Sequence, residues 1–482
     1  MIMEQTLLNL ASKINAYLSN YILIVLLLGI GLFYSFRTKF VQIRFFKEGM
    51  KRVFGNIRFR GGKQKSGISS FQALATAIAA QVGTGNIVGA CGAILVGGPG
   101  AIFWMLIIAF LGMATIYAEA VLAQETRIVG ENGQIHGGPV YYIKRAYNNK
   151  FGSFLAVFFA VAIILALGFM GSMVQSNSIA SCMNEAFHIP VWVIGVALAA
   201  ICVFIFIGGI QRIASVAEKI VPFMALLYIA LGLIVLIVNI QYVPHAIGLI
   251  FKYAFQPQAI IGGTFGTAIA QAVTQGAKRG LFSNEAGMGS TPHAHAVANV
   301  EKPHDQGVVA MIGVFIDTFV VLTVTALVTI TPLYTGDNPA VTANGVMEGM
   351  NKTNMMQIAM SRVFGSTLGP IFVAVCLLFF AFTTIISWNF FGKQNVIYLF
   401  GKTANSKKIA TVIYSVIAIV FIFLGTIASN DLVWELTDLF NNLMVIPNVI
   451  ALAALSGIVV KSVKSAEQAN HTENKAKTEK EQ

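Results

Sequence analysis

Along most of this chain the apolar positions do not alternate with polar ones. They run nearly unbroken for about 20 residues at a time, the length that carries an α-helix across roughly 30 Å of hydrocarbon. The runs fall at 21–36, 68–95, 101–122, 153–181, 191–207, 220–240, 260–282, 308–331, 368–390, 409–427 and 439–460. Strands of a membrane barrel are short and alternate in polarity, whereas these runs are continuous and carry the glycine and small residues of packed helices. The pattern predicts an all-α, polytopic membrane protein of about eleven transmembrane helices.

Composition removes the soluble alternative. Of 482 residues, 56% are hydrophobic and 11% charged, and the mean hydropathy is +0.74, too little polar surface to cover a globule in water. The lipid bilayer is the expected partner of most of the surface. Cys91, Cys182, Cys202 and Cys376 lie in or beside apolar runs without zinc or redox spacing, and are expected as small core residues. The first run has no small-residue cleavage site and is expected to be retained.

A formal charge of +12 could suggest nucleic acid, but its distribution describes topology instead. Arg37, Lys39, Arg44, Lys47, Lys51, Arg52, Arg58, Arg60, Lys63 and Lys65 follow the first run, which predicts a cytoplasmic loop there and an N-terminus outside. Threading onward puts Arg127, Lys144 and Arg145 inside, then Arg212, then Lys278 and Arg279, then Lys393, Lys402, Lys407 and Lys408, and last a Lys-rich cytoplasmic tail. The longest outside loop, 332–365, mixes Asp337 and Glu348 with Lys352 and Arg362. No nucleic acid is needed to explain the charge. The tail, 461–482, lacks apolar periodicity and is expected to be disordered.

Candidate chemistry begins in the run 68–95, where Gln81, Val82, Gly83, Thr84, Gly85 and Asn86 make a poor continuous helix. A helix broken at membrane depth is tolerated where it lines a cavity, and it offers free N–H groups to a carboxylate and carbonyls to a cation. On this motif alone a glycine packing contact is the alternative. A second such segment, Gly262, Gly263, Thr264, Phe265, Gly266 and Thr267, followed by Gln271 and Gln275, comes about five spans later. Paired interruptions at matching places point to an inverted-repeat transporter with its site between the two halves. The expected organisation is a leading helix and basic loop (1–67), a first five-helix repeat (68–240), a second, inverted repeat (241–460) and the tail (461–482).

Four stretches then carry a family resemblance: Val82 to Ile87, Gly98 to Ala101, Gly112 to Ala114 with Tyr117, Ala118 and Glu119, and above all Arg279 to Ser290. Together they resemble the alanine or glycine:cation symporter family, along nearly the whole chain. The resemblance implies sodium-coupled import of a small neutral amino acid, alanine or glycine, through a fold like that of the bacterial leucine transporter with one extra leading helix. It implies that the substrate carboxylate meets the backbone at Thr84 and Gly85, and that Gln175 and Trp388 enclose the substrate with Gly266 and Thr267. It implies one sodium at Asn86 and another at the carbonyls of Ala79 and Val82 with the hydroxyls of Thr383 and Thr384. Gln81 beside the break leaves a substrate with a longer polar side chain, such as glutamine, open, and protons remain an alternative to sodium.

Glu119 and Asp317 lie within apolar runs, where an ionisable group costs at least about 2.5 kcal/mol; a functional role and pairing with a neighbouring helix are both open. Glu218 and Lys219 sit nearer a helix end, as a solvated or snorkelling pair. His293 and His295 lack further ligands at metal spacing, which favours a loop over a zinc site. An enzyme would need an acid, base or metal constellation, and the sequence offers only Glu285 with that histidine pair; no enzyme is expected. A channel would repeat one filter by symmetry, not carry two unlike broken helices.

Overall fold

Small polar residues start several of the helices. Ser69 and Gln72 form a reciprocal capping box, the Gln72 amide donating to Ser69 Oγ and the Ser69 amide to Gln72 Oε1, each at 3.1 Å. Thr403 and Ser406 repeat the device at 3.1 and 3.0 Å. Asn149 caps a third helix by accepting from the Gly152 amide at 3.0 Å.

The structure is a computed structural model and describes residues 2–55, 67–130, 134–207, 209–256, 265–335, 339–342 and 345–481. The helices are α1 (Glu4–Arg37), α2 (Phe46–Phe54), α3 (Ser70–Gln81), α4 (Gly85–Gly97), α5 (Gly100–Thr126), α6 (Pro139–Ala146), α7 (Lys150–Phe187), α8 (Val191–Ile207) and α9 (Gly209–Val238). They continue as α10 (Val243–Phe255), α11 (Phe265–Asn284), α12 (Pro292–Ala296), α13 (Pro303–Tyr334), α14 (Met355–Phe400), α15 (Ala404–Ile427), α16 (Asn430–Ala454) and α17 (Ser456–Glu481). Six two-residue strands, β1 (Ile68–Ser69), β2 (Ile128–Val129), β3 (Ile135–His136), β4 (Ala298–Asn299), β5 (Val341–Thr342) and β6 (Gly345–Val346), pair β1 with β4, β2 with β3 and β5 with β6. The parallel β1–β4 pair, with Ile68 opposite Ala298, ties the entry of α3 to the exit of α12.

Among the described residues, eight helices are long and apolar enough to cross a membrane, and nine when α3 and α4, bent by 46° at their break, form one span. The expected count of about eleven is reached only if the shorter apolar α8 and the broken pair α11–α12 also cross. The chain is a multi-pass, all-α membrane protein. Every residue of α5 from Leu111 to Gln124 is buried, so this helix stands inside the bundle, against α11 and α13. On α15, Ile409, Val412, Ile413 and Val416 are exposed at helical spacing, an apolar face for lipid.

Two expectations are corrected. Lys278 and Arg279 lie not in an inside loop but within α11, where Lys278 Nζ meets Asp438 Oδ2 at 2.8 Å and Arg279 stacks over Trp434 at 4.4 Å. Lys352, from the loop expected outside, lies over the same ring at 5.5 Å, so both cations belong to that end of the bundle. The positive-inside rule counts loop residues, and these two are counter-charged within a helix. The segment from 461 continues the helix α17, because Val459, Val463 and Ala466 recur on one face and are buried; the side chains of 471 and 473–482 lie outside the described residues.

The second expected break begins outside the described residues. Gly262, Gly263 and Thr264 lie outside the described residues, and Gly266 and Thr267 fall in the first turn of α11, whose side chains are likewise not described. The observed interruption lies at the other end of α11, between Asn284 and Pro292. Glu285, Gly287 and Gly289 there have φ of 59°, 89° and 83°, a left-handed backbone that ends a helix and that glycine adopts at little cost.

Candidate functional site

The two breaks face each other. At the first, Val82 leaves helical geometry at φ −77°, ψ 87°, so the last carbonyls of α3 and the first amides of α4 lack ordinary helical partners. Side chains take over some of them. Asn86 Oδ1 accepts from the Gly83 amide at 3.0 Å, and Gln175 Oε1, from α7, accepts from the Thr84 amide at 3.0 Å. Gln81 Nε2 reaches the second break, donating to the Asn284 carbonyl at 2.7 Å.

Two glycines set the closeness of approach. A Cβ at Gly83 would lie 2.4 Å from Thr384 Oγ1, and one at Gly85 would lie 3.0 Å from Phe282 Cδ1 and 3.1 Å from Ser283 Cα. The first break therefore packs backbone-on against α14 and α11.

At the second break, Glu285 is wholly buried, and its carboxylate accepts from Trp388 Nε1 at 2.6 Å and from Ser290 Oγ. Glu119, on α5, braces the same segment: Oε2 accepts from the Gly287 amide at 3.1 Å, and Oε1 from Asn448 Nδ2 at 2.7 Å. For Glu119 the structure thus gives pairing with a neighbouring helix and with the break itself.

Asp317 joins the two breaks. Its Oδ1 accepts from Asn86 Nδ2 at 2.7 Å and its Oδ2 from Ser283 Oγ at 2.9 Å and Thr318 Oγ1 at 2.8 Å. This gathers a carboxylate, two hydroxyls and the Asn86 amide, whose nitrogen faces Asp317, in a fully buried place; the carboxylate and hydroxyl oxygens are of the kind hard cations take. Apart from it, Thr384 Oγ1 donates to the Ala79 carbonyl at 2.9 Å. Thr383 Oγ1 instead donates to the Phe379 and Phe380 carbonyls of its own helix, at 3.0 and 2.9 Å, and lies 3.7 Å from Met224 Sδ on α9. Adjacent residues on a helix point about 100° apart, so one of the pair meets α3 and the other faces away.

Of the residues named from sequence, Gln81, Thr84, Gly85, Asn86 and Gln175 meet at the first break, Ala79 and Thr384 meet beside it, and Trp388 stands at the second. Ser283, Asn284 and Glu285 were missed as parts of the site. Their signal was present in Gly287 and Gly289, two residues apart, which let a helix end there. His293 and His295 are buried and hydrogen-bonded, His293 to the Ser290 carbonyl (2.7 Å) and Asn395 (2.8 Å), His295 to Gln306 (2.8 Å). Among the described residues no group of three or more His, Cys, Asp or Glu side chains is placed to hold a metal ion.

The model of the sodium:alanine symporter family matches residues 4–481. The chain is 38% identical over 471 residues to the sodium/alanine symporter AgcS of Methanococcus maripaludis, covering 97% of this chain and 99% of that one. It is 38% identical over 468 residues to the probable sodium/glutamine symporter GlnT of Bacillus subtilis, covering 96% and 91%. Among solved structures, MhsT in complex with L-phenylalanine superposes with a TM-score of 0.56 at 15% identity, over 83% of this chain and 96% of that one, a likeness of fold of the leucine-transporter type.

Proposed function

Because this chain belongs to the sodium:alanine symporter family, we propose that it is a secondary active symporter importing a small neutral amino acid, alanine or glycine, together with sodium. The coarser reading, a sodium-coupled amino-acid transporter, is supported by the family and by relatives named for alanine and for glutamine. One observation carries the location of the site. Gln81 Oε1, Thr84 Oγ1, Thr291 Oγ1 and Ser387 Oγ are buried without a hydrogen-bond partner, and they fall at the two breaks and beside Trp388. A buried polar atom left unpaired costs about 1–3 kcal/mol, which favours a polar ligand there.

In this reading the substrate carboxylate lies at the Thr84 and Gly85 backbone, taking over the amide that Gln175 now holds. Gln81, Gln175 and Trp388 surround the amino acid. One sodium lies among Asn86, Asp317, Ser283 and Thr318, where the Asp317 carboxylate supplies the charge. A second lies at the Ala79 and Val82 carbonyls with Thr384; Thr383 joins it only if its hydroxyl leaves its own helix. The chain's part is to exchange these internal hydrogen bonds for ligand ones, so that an empty and a filled site are both satisfied.

Glutamine is the second reading, favoured by the free Gln81 Oε1, an acceptor that a side-chain carboxamide could use. Uptake of alanine, glycine, serine and glutamine into proteoliposomes, with a sodium gradient, with a proton gradient alone and with neither, tests the proposal. Saturable alanine or glycine uptake that needs sodium supports it. Uptake driven equally by protons alone removes sodium, and preference for glutamine replaces the substrate.

A further inference from the structure

A cavity of about 590 Å³ opens away from the broken helices, at the end of the bundle where β1 enters α3 and α14 runs into α15. Its wall carries Lys393, Lys407, Lys408, His136 and Gln134, and no aspartate or glutamate among the described residues. Lys407 Nζ donates to Gln134 Oε1 at 2.6 Å and lies 3.5 Å from His136 Nε2, while His136 Nδ1 is 3.0 Å from Gln394 Oε1. These neutral partners leave the charge uncompensated. A basic loop in water would need no counter-charge, but this wall is concave, and Lys393 and Lys407 are only partly exposed.

An independent feature lies at the inner end. Asn389 is 2% exposed, lines the cavity, and its amide Nδ2 has no hydrogen-bond partner. An unpaired buried donor is costly unless a ligand accepts from it. Three ammonium groups and a free amide donor match an acceptor-rich ligand of net negative charge. A zwitterionic amino acid fits poorly, because its own ammonium is repelled as its carboxylate is attracted.

We propose that this cavity is an anion site for a phosphate group, held by Lys393, Lys407 and Lys408 with Asn389 at its floor. The group has two chemical sources, free phosphate or the headgroup of an anionic lipid, to which lysines at this end of a bundle are also drawn. The proposal rests on this wall and not on which solute is carried, so it is read by binding alone. Under the transport reading the cavity abuts Trp388 through its neighbour Asn389, and a bound anion would hinder passage between the site and that end.

Thermal unfolding of the purified full chain in phosphatidylcholine nanodiscs is measured against inorganic phosphate, with sodium chloride at matched ionic strength as the control. The expected result is stabilisation by phosphate beyond chloride, with affinity about tenfold weaker in the double variant Lys393→Gln, Lys408→Gln. Lys408→Gln alone, at the exposed rim, guards against misfolding and should give a smaller loss. Stabilisation by phosphatidylglycerol nanodiscs and not by phosphate, lost in the same variants, assigns the headgroup. Equal response to chloride, or variants that respond as the natural chain does, overturns the site.

Discussion

Asn86 Nδ2 donates to Asp317 Oδ1 at 2.7 Å, and the same asparagine's Oδ1 caps the Gly83 amide at 3.0 Å. The first broken helix is thereby tied to a buried carboxylate on α13, and a cation there would meet the Asp317 oxygens directly and Asn86 Oδ1 once the amide turns. Asp317→Asn keeps the shape and one oxygen but removes the charge. Sodium for half-maximal uptake should rise by about tenfold or more, since contacts to a charged group are worth about 1.5–3 kcal/mol. Asn86→Ala should move it in the same direction. Sodium titration of uptake at normal protein abundance checks both, and an unchanged half-saturation in either removes that residue from the cation site.

Gly85 lies where an added Cβ would press on Phe282 Cδ1 and Ser283 Cα at 3.0 and 3.1 Å. Gly85→Leu should therefore abolish amino-acid binding by wedging the two breaks apart and filling the carboxylate position. Equilibrium binding to purified protein of normal size-exclusion profile is the measurement. Near-normal affinity would place the substrate elsewhere.

Trp388 supplies the indole donor to buried Glu285 at 2.6 Å. Trp388→Phe retains most of the ring but leaves that carboxylate oxygen unpaired, a cost of about 1–3 kcal/mol. The variant should unfold at a lower temperature and lose uptake. If both stay at the level of the natural chain, the Glu285 contact has no part in holding the second break.

The basic segment after α1 sets the proposed orientation, N-terminus outside and C-terminus cytoplasmic. The four native cysteines are buried, so single cysteines can be introduced against a quiet background. An impermeant thiol reagent on intact cells should label a cysteine at the exposed Glu348 and spare one at the exposed Lys51. The reverse pattern inverts the topology.

Glu48, on α2, links three parts of the chain at that basic end. The His304 imidazole 3.5 Å away, with Asn470 at 3.1 Å and Arg52 at 2.9 Å, holds its carboxyl at about 2, below the ordinary 4.5, although burial pushes it up. A carboxyl depressed in the folded state adds stability above pH 4.5, and that share fades as pH falls toward about 2. Glu48→Gln should flatten this part of the acid dependence. Melting temperature against pH for both proteins is the check, and superimposable profiles would show that the contact does not couple to stability.

The class of the protein and much of the chain's path were legible in its sequence. Length and polarity of each apolar run are local properties, and lipid demands that every such run satisfy its own backbone. The first break was equally legible, because Gly83 and Gly85 with Asn86 spoil a helix without help from any other part of the chain. The break expected at Gly262 to Thr267 begins outside the described residues, and the one at the other end of α11 was not expected. The observed break at Glu285 to Thr291 is held open by Glu119, Asn448 and Trp388, residues from three other helices. The pairing of Asn86 with Asp317 was beyond sequence for the same reason. Asp317 could be flagged as a costly intramembrane charge, but its partner Asn86 lies 231 residues away. The same holds for Lys278 and Arg279, whose partner Asp438 on α16 holds them within a helix instead of a loop. Which side chains meet depends on how helices pack, and packing is decided by shape and burial across the whole bundle, not by any local pattern.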